Sequence, residues 1–186
     1  MFLLAGLGNP GSQYKETLHN AGFIFLDSLL PSSSWKEQKG ALVAKTDIAG
    51  QSVLLAKPQL YMNRSGEPIQ QLCHFYKIPP ENVCVLVDDM NLPLGRVRIR
   101  MGGSAGGHNG LKDIIRVLGE GFCRLRIGVG PAPQASNWKD FVLRRLTSTE
   151  NKILSNMTED FPQLLNIAYS SNWERAANTY NGKLYH

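Results

Sequence analysis

The sequence is poor in cysteine and lacks the patterns by which cysteine forms cross-links or binds metal. Its 186 residues include three cysteines, Cys73, Cys84 and Cys123, and no two of them form a C-x-x-C pair. An odd number of widely spaced cysteines argues against a disulfide framework and against a cysteine-rich zinc site. We therefore expect the three thiols to be buried as small apolar side chains.

Long apolar runs, low-complexity segments and internal repeats are missing as well. No window approaches the roughly 18 uninterrupted apolar residues that indicate a membrane-spanning helix. The first ten residues, MFLLAGLGNP, lack the basic region of a secretory signal. Hydrophobic residues make up 42% of the chain and charged residues 19%, which excludes a disordered chain and favours one globular domain over residues 1–186. We expect a cytoplasmic protein with no membrane partner.

The positive charge is modest, and its placement is more informative than its size. Lysine and arginine number 20 against 15 acidic residues, for a net charge of +5. Residues 95–101 alternate between arginine and apolar side chains, which predicts a half-buried strand with Arg96, Arg98 and Arg100 on one face. Lys112 follows a glycine-rich loop at the start of a predicted helix, where free N–H groups attract phosphate. Arg98, Arg100 and Lys112 are therefore candidates for phosphate binding, although a solvated strand face remains an alternative.

The periodicity of apolar residues predicts strands that alternate with helices. We predict strands at residues 2–7, 41–48, 52–57, 83–87, 95–101 and 123–129, the second and third as a hairpin. We predict helices at residues 20–30, 65–77 and 109–118, and a helical tail from Trp138 that Pro162 interrupts. This alternation is typical of an α/β fold, and the hairpin requires the sheet to be mixed.

Gly6 to Gly11 matches the G-x-G-x-x-G pattern of dinucleotide-binding loops. That fingerprint needs a helix that opens on the third glycine and an acidic residue at the end of the next strand. Here Asp27 falls inside a predicted helix, and the first clear helix begins near Asn20. We favour a turn that projects Asn9 from the end of the first strand, and we keep a nucleotide-binding enzyme as a weaker alternative.

Several polar residues follow predicted strands. Asn9 comes after the first strand, Asn63 just beyond the hairpin and Asp88 after residues 83–87, while His19 and Asn109 stand at the starts of helices. In open α/β sheets, sites gather outside the carboxyl ends of strands. Taken singly, each of these residues is typical of a turn, a helix cap or a core position.

Together, these segments resemble the bacterial-type peptidyl-tRNA hydrolases. The similarity lies in five blocks in the family's order: GLGNPG with Tyr14 and TLHNAGF, KPQLYMNRSG, DDMNLPLG, GGSAGGHNGLK and FCRLRIGVG. These blocks cover most of the first 130 residues.

The resemblance implies a single domain with a twisted, mixed central β-sheet flanked by α-helices, a phosphorylase/hydrolase-like fold. It implies a monomeric cytoplasmic esterase that cleaves peptide from tRNA and that needs no metal or cofactor. His19 matches the catalytic base and Asp88 its supporting carboxylate. The matched positioning residues are Asn9, which we also count as catalytic, Asn63, Asn109, Tyr14 and Tyr61. It also implies that the acceptor arm of the tRNA binds a basic surface, which we place at the phosphate-binding candidates above.

The residue types suit this chemistry. A neutral imidazole can take a proton from water near pH 7, and a carboxylate on its other nitrogen fixes the tautomer. Because there is no serine or cysteine nucleophile motif, direct attack by water is favoured. Uncharged asparagine amides can bind any peptide backbone, and we hypothesise that Asn9 helps to disfavour the ammonium group of unblocked aminoacyl-tRNA. The alternative is a catalytically silent RNA-binding protein on the same fold.

Overall fold

The computed structural model describes residues 1–132 and 137–186, which are built around one seven-stranded sheet. Its strands are β1 (Phe2–Gly6), β2 (Lys36–Gln38), β3 (Ala41–Ile48), β4 (Gln51–Pro58), β5 (Val83–Pro93), β6 (Val97–Met101) and β7 (Cys123–Gly130). They lie in the order β2-β3-β4-β1-β5-β7-β6. The predicted α/β class with a mixed sheet is confirmed.

The middle of the sheet is parallel and its two edges are antiparallel. β1 pairs in parallel with β4 on one side and with β5 on the other, and β5 pairs in parallel with β7. The β3–β4 hairpin, β2 and β6 supply the antiparallel pairs. The four parallel strands therefore end at the same edge of the sheet, where the polar residues that follow them can meet.

Six helices cover the two faces of this sheet in the described part of the chain. They are α1 (Ala21–Asp27), α2 (Gly66–Tyr76), α3 (Asn109–Leu118), α4 (Trp138–Leu143), α5 (Ser148–Ser170) and α6 (Trp173–Tyr180). Successive strand residues point to opposite faces. Leu3 accordingly packs in the cluster with α2 and α3, while Leu4 packs in the cluster with α1 and α5.

The structure departs from several predicted elements: the first helix ends at Asp27 and not at residue 30, and β6 begins at Val97 and not at residue 95. β5 continues six residues beyond Val87, to Pro93, and the short edge strand β2 had no signal in its sequence, KEQ. The predicted interruption at Pro162 is wrong, because α5 runs through it from Ser148 to Ser170. A proline inside a helix costs roughly 3 kcal/mol. The buried face of α5, which includes Phe161 and Leu165, offsets that cost by packing on the sheet.

A close approach of two backbones sets the position of α1 against the sheet. A Cβ on Gly22 would lie 2.6 Å from the Leu86 carbonyl oxygen and closer still to the Leu7 amide nitrogen. Only glycine allows this approach. Because His19 lies one turn before α1, the contact at Gly22 brings it against the carboxyl ends of β1 and β5.

The expectations about thiols and membrane spans can be compared directly with the structure. Cys73, Cys84 and Cys123 are free and buried, as predicted. In residues 1–132 and 137–186, no helix has both the length and the apolar character that crossing a bilayer requires.

Candidate active site

His19 and Asp88 are in contact at the carboxyl edge of the sheet. His19 belongs to a 3-10 turn, Leu18–Asn20, that leads into α1, and Asp88 is the last residue in the buried part of β5. The His19 Nδ1 atom lies 2.9 Å from Asp88 Oδ1 and 3.0 Å from Oδ2. Sixty-nine residues separate the two positions in sequence, so the fold alone creates this pair.

This geometry leaves the second ring nitrogen of His19 free for chemistry. Since a carboxylate accepts hydrogen bonds, Nδ1 carries the proton and Nε2 presents a lone pair. His19 is 8% exposed, yet it lines two cavities of about 270 and 240 Å³. Both are large enough for water, so the free nitrogen can take a proton from a water molecule beside it.

The surroundings of Asp88 keep its carboxyl ionised. Burial by itself raises the pKa of the Asp88 carboxyl, but the opposing attraction to His19 and His108, with a hydrogen bond from each ring, holds that pKa well below its usual range. Asp88 is therefore a carboxylate throughout the pH range in which an imidazole titrates.

His108 is a third member of this cluster that the sequence analysis did not single out. Its Nε2 atom lies 3.0 Å from Asp88 Oδ1, and its Nδ1 atom accepts a hydrogen bond from the Leu111 amide at 3.3 Å. The sequence feature that could have identified His108 is its position directly before Asn109 in the GGHNG segment.

Two imidazoles and a carboxylate can form a divalent-metal site, so the donor set requires a test. One ligand atom from each of His19, Asp88 and His108 lies within 4.8 Å of the others. The Leu111 N–H group occupies the lone pair of His108 Nδ1, and so the His108 proton sits on Nε2. A metal ligand needs that Nε2 lone pair. The hydrogen bonds thus favour a cluster that handles protons over one that holds a metal.

The three predicted asparagines line one cavity together with His19. Asn9, Asn63 and Asn109 all border the cavity of about 240 Å³. The amide of Asn9 is fixed by its surroundings, because its Oδ1 accepts from the Met62 amide at 2.8 Å. Asn20 holds the Asn9 backbone with one hydrogen bond in each direction, at 2.9 and 3.0 Å. The group that Asn9 can offer a substrate is therefore its NH₂ donor.

The two predicted tyrosines lie in different surroundings. Tyr61 borders the asparagine cavity, is 54% exposed and has a left-handed backbone with φ of 64°. A positive φ at a non-glycine residue is uncommon and costs free energy. The strained residue Tyr61 directly precedes Met62, whose N–H group donates to Asn9 Oδ1. Tyr14 lies in the turn between Asn9 and His19 and does not line the two cavities at His19 within the described residues.

The predicted basic residues form a larger basic face than the sequence analysis indicated. Arg98 and Arg100 are exposed on β6 and pair in register with Arg126 and Arg124 of β7. Arg126 and Lys112 border the cavity of about 270 Å³ at His19, whereas Arg98 and Arg100 do not. In the segment RLRIG, arginine alternates with apolar residues as it does in residues 95–101, and this pattern likewise predicts a strand with its arginines on one face. We define the basic face as Arg98, Arg100, Arg126 and Lys112.

Arg126 links this face to the glycine-rich loop. Its guanidinium donates to Asp89 Oδ2 and to the Ser104 carbonyl oxygen, each at 3.2 Å. Arg124 is 1% exposed, and its Nε and Nη2 atoms have no hydrogen-bond partner in the described part of the chain. The helix α4 supplies further cavity walls, Trp138, Lys139, Val142 and Leu143, for which the sequence gave no separate signal.

The dinucleotide interpretation of the first glycine loop fails on its geometry. After Gly11 the chain forms a three-residue 3-10 turn, Ser12–Tyr14, and the first α-helix begins only at Ala21. Asp27 lies at the end of that helix and pairs with Lys57. The fingerprint requires a helix N-terminus that faces this loop at the third glycine, and residues 1–132 and 137–186 provide none.

Comparison with known proteins gives concordant matches over almost the whole chain. A family model described as peptidyl-tRNA hydrolase matches residues 3–186. A protein of that name from Desulfitobacterium hafniense is 43% identical over 184 residues, which cover 97% of this chain and 100% of the relative. One from Fervidobacterium nodosum is 40% identical, with coverages of 96% and 95%. The crystal structure of peptidyl-tRNA hydrolase from Acinetobacter baumannii superposes with a TM-score of 0.91 at 33% identity, covering 99% and 96% of the two chains.

Proposed function

The chain belongs to the peptidyl-tRNA hydrolase family and hydrolyses the ester bond of peptidyl-tRNA, and we propose that His19, Asp88 and Asn9 carry out this reaction. The observation that carries the proposal is the contact of His19 Nδ1 with Asp88 at 2.9 Å, which leaves Nε2 free in a cavity shared with Asn9, Asn63 and Asn109. A general base needs such access to the water proton that it removes.

The reaction follows from these positions. His19 Nε2 takes a proton from water as the water oxygen attacks the ester carbonyl, and Asp88 stabilises the imidazolium that forms. The carbonyl oxygen gains negative charge, which an amide donor such as that of Asn9 stabilises. The bond to the ribose oxygen then breaks, and the imidazolium returns its proton to that oxygen. The products are a free peptide acid and a tRNA with an intact terminal hydroxyl.

Asn9 also offers a means of discrimination between substrates. Its NH₂ group can donate to a carbonyl oxygen of the peptidyl group, but it cannot accept from the ammonium of an unblocked aminoacyl group. An ammonium placed against a donor loses its water and gains no partner, which is costly. We thus assign the preference for N-blocked substrates to the unfavourable contact between two hydrogen-bond donors, the Asn9 NH₂ group and the ammonium of an unblocked substrate.

This assignment predicts a change of selectivity in Asn9→Asp. The unchanged protein should release tRNA from N-acetyl-aminoacyl-tRNA roughly 100-fold or more faster than from the unblocked form. In Asn9→Asp a carboxylate oxygen replaces the donor and pairs with ammonium, so that ratio of kcat/KM values should shrink by about tenfold. Rates of tRNA release from both substrates measure it.

A matched control for this experiment is Asn172→Asp. Asn172 caps α6 by accepting from the Arg175 amide, a task that aspartate performs equally well. Its selectivity ratio should equal that of the unchanged protein. An unaltered ratio in Asn9→Asp would contradict the role of Asn9 in discrimination. If the unchanged protein released no tRNA from the blocked substrate, that result would contradict the hydrolase function.

We place the phosphates of the tRNA acceptor arm on the basic face. Arg98 and Arg100 extend from the edge of the sheet, and Arg126 and Lys112 continue the positive charge to the cavity at His19. A nucleic acid whose end reaches His19 would thus have its backbone over these cations. Such contacts release condensed counterions, so binding should weaken as salt is added.

The double variant Arg98→Glu/Arg100→Glu should raise the apparent KM for full-length substrate about tenfold or more. It should also reduce the slope of log KM against log salt concentration by roughly two, about one for each phosphate contact that is lost. A short mimic, a blocked aminoacyl ester of adenosine, should be affected much less because it cannot reach these side chains.

The variant Lys36→Glu/Lys45→Glu is the matched control, since it makes the same change of net charge on β2 and β3 at the other end of the sheet. Equal effects of the two double variants, or equal effects on both substrates, would contradict docking at Arg98 and Arg100.

The remaining parts of the proposal concern setting and assembly. All the proposed active-site residues come from one chain, so a monomer suffices for the reaction. The substrate is a product of cytoplasmic translation, and buried free thiols are compatible with that reducing compartment. Because the His108 tautomer does not suit a metal ligand, we propose a reaction that needs no metal and that a chelator leaves unchanged.

A further inference from the structure

His108 is held more tightly than the mechanism above requires. It is the residue before α3 and caps that helix through its ring, because the Leu111 amide donates to its Nδ1 at 3.3 Å. Its ring lies over Gly110, where a Cβ would come within 3.1 Å of His108 Cε1 and 2.8 Å of Leu7 Cδ1. The side chain is 10% exposed. A ring fixed in this way has a defined tautomer and a defined direction.

The cap determines which ring nitrogen carries the proton. An N–H donor at Nδ1 requires a lone pair there, so the proton of neutral His108 lies on Nε2. That nitrogen is 3.0 Å from Asp88 Oδ1, the same oxygen that lies 2.9 Å from His19 Nδ1. The helix cap and the active-site carboxylate are thus joined through one imidazole.

We propose that His108 is a positioning residue for the hydrolysis reaction, which orients Asp88 by donating Nε2–H to it. This inference rests on the proposed roles of His19 and Asp88. Both oxygens of Asp88 lie within 3.0 Å of His19 Nδ1, so rotation of the carboxylate changes where the His19 ring points. A second donor on Oδ1 restrains that rotation. Misplacement of a reacting group by about 1 Å can cost 100-fold in rate.

The other charged groups near this cluster are engaged elsewhere or exposed. Asp89 on β5 pairs with Arg126 of β7 at 3.2 Å. Lys112 on α3 is exposed at the rim of the same cavity, and Lys139 on α4 borders the neighbouring one. A change in the pH dependence of the rate on substitution of His108 is therefore expected to come from the His19–Asp88–His108 cluster.

Two substitutions separate the cap from the donor. In His108→Asn an amide oxygen takes the place of Nδ1 and caps α3, but no atom reaches Asp88. In His108→Gln an amide nitrogen takes the place of Nε2 and donates to Asp88, but the cap is lost. Asparagine is among the best N-cap residues, whereas glutamine is not.

The expected results are opposite in the two variants. His108→Asn should lower kcat about tenfold with KM unchanged within twofold and with Tm nearly unchanged. The acid limb of its pH–rate profile should move to higher pH, because an Asp88 that no longer shares its charge with His108 holds the His19 proton more strongly. His108→Gln should recover most of kcat while Tm falls by roughly 2–4 °C.

Either of two outcomes would overturn the proposal. One is full kcat in His108→Asn, which would show that the contact with Asp88 does not matter. The other is a loss of activity in both variants that follows Tm alone, which would make His108 a structural cap only. Full activity in His19→Ala would instead overturn the proposed function itself, so the two failures are distinguishable.

Discussion

Replacement of His19 by alanine is expected to lower kcat/KM for N-acetyl-aminoacyl-tRNA by about 1,000-fold, the middle of the range attributed to general base catalysis. The variant retains the asparagines and the basic face. It lacks the imidazole at position 19 that would take a proton from water. Binding of tRNA should persist, because the proposed phosphate contacts lie on β6, β7 and α3. Measured rates of release and a tRNA titration distinguish the two effects.

His74→Ala is the matched control for that experiment. His74 is exposed on α2, and its removal changes the histidine content without touching the cavities at His19 in the described part of the chain. It should keep full activity. If the unchanged protein and His19→Ala bind tRNA equally and neither releases it, the chain would instead be the RNA-binding protein that we kept as the alternative.

The pH profile gives a second readout of the His19 assignment. The pKa of Asp88 is held well below its usual range, so this carboxyl stays ionised and contributes no change of charge between pH 5 and 8. A fall in kcat/KM on acidification through that interval is then expected from protonation of the catalytic base and not of its supporting carboxylate. The residual activity of His19→Ala should lack this limb, and the same limb in the variant would assign it to another group.

Local sequence patterns predicted the elements of the fold but not all of their ends. The hairpin of β3 and β4 follows from two apolar runs separated by a short turn, and this signal is local. Strand β2 has the sequence KEQ and is a strand because β3 offers it hydrogen-bond partners. Pro162 predicted a break, but its neighbours on α5 bury an apolar face on the sheet. In both cases tertiary contacts outweigh the local preference.

The site was predictable to the extent that its residues follow strands or lie within a resemblance to known sequences. Asn9 follows β1, and Asp88 follows the apolar run of β5, which places both at one edge of the sheet without further information. His108 depends on a glycine-rich loop whose path has no period, so its contact with Asp88 could not be inferred from spacing. Arg126 was not singled out, although its alternation with Arg124 was visible in residues 123–129, which we predicted only as a strand.

Replacement of Asp88 by asparagine is expected to lower kcat/KM by about 100- to 10,000-fold while the protein stays folded. The amide is nearly the same shape as the carboxylate, but its NH₂ group can donate to His19 Nδ1. The His19 proton then moves to Nε2, where no lone pair remains for water. Asp47→Asn is the matched control, because it makes the same change at the β3–β4 turn, where the Asp47 side chain accepts from the Gly50 amide.

The double variant His19→Ala/Asp88→Asn tests whether the two residues act as a unit. If Asp88 acts only through the His19 ring, its removal costs nothing further once that ring is gone, and the double variant should be no slower than His19→Ala. A rate reduced by the product of the two single losses would mean that Asp88 contributes independently. Since the two residues share hydrogen bonds of 2.9 and 3.0 Å in the structure, we expect the non-additive result.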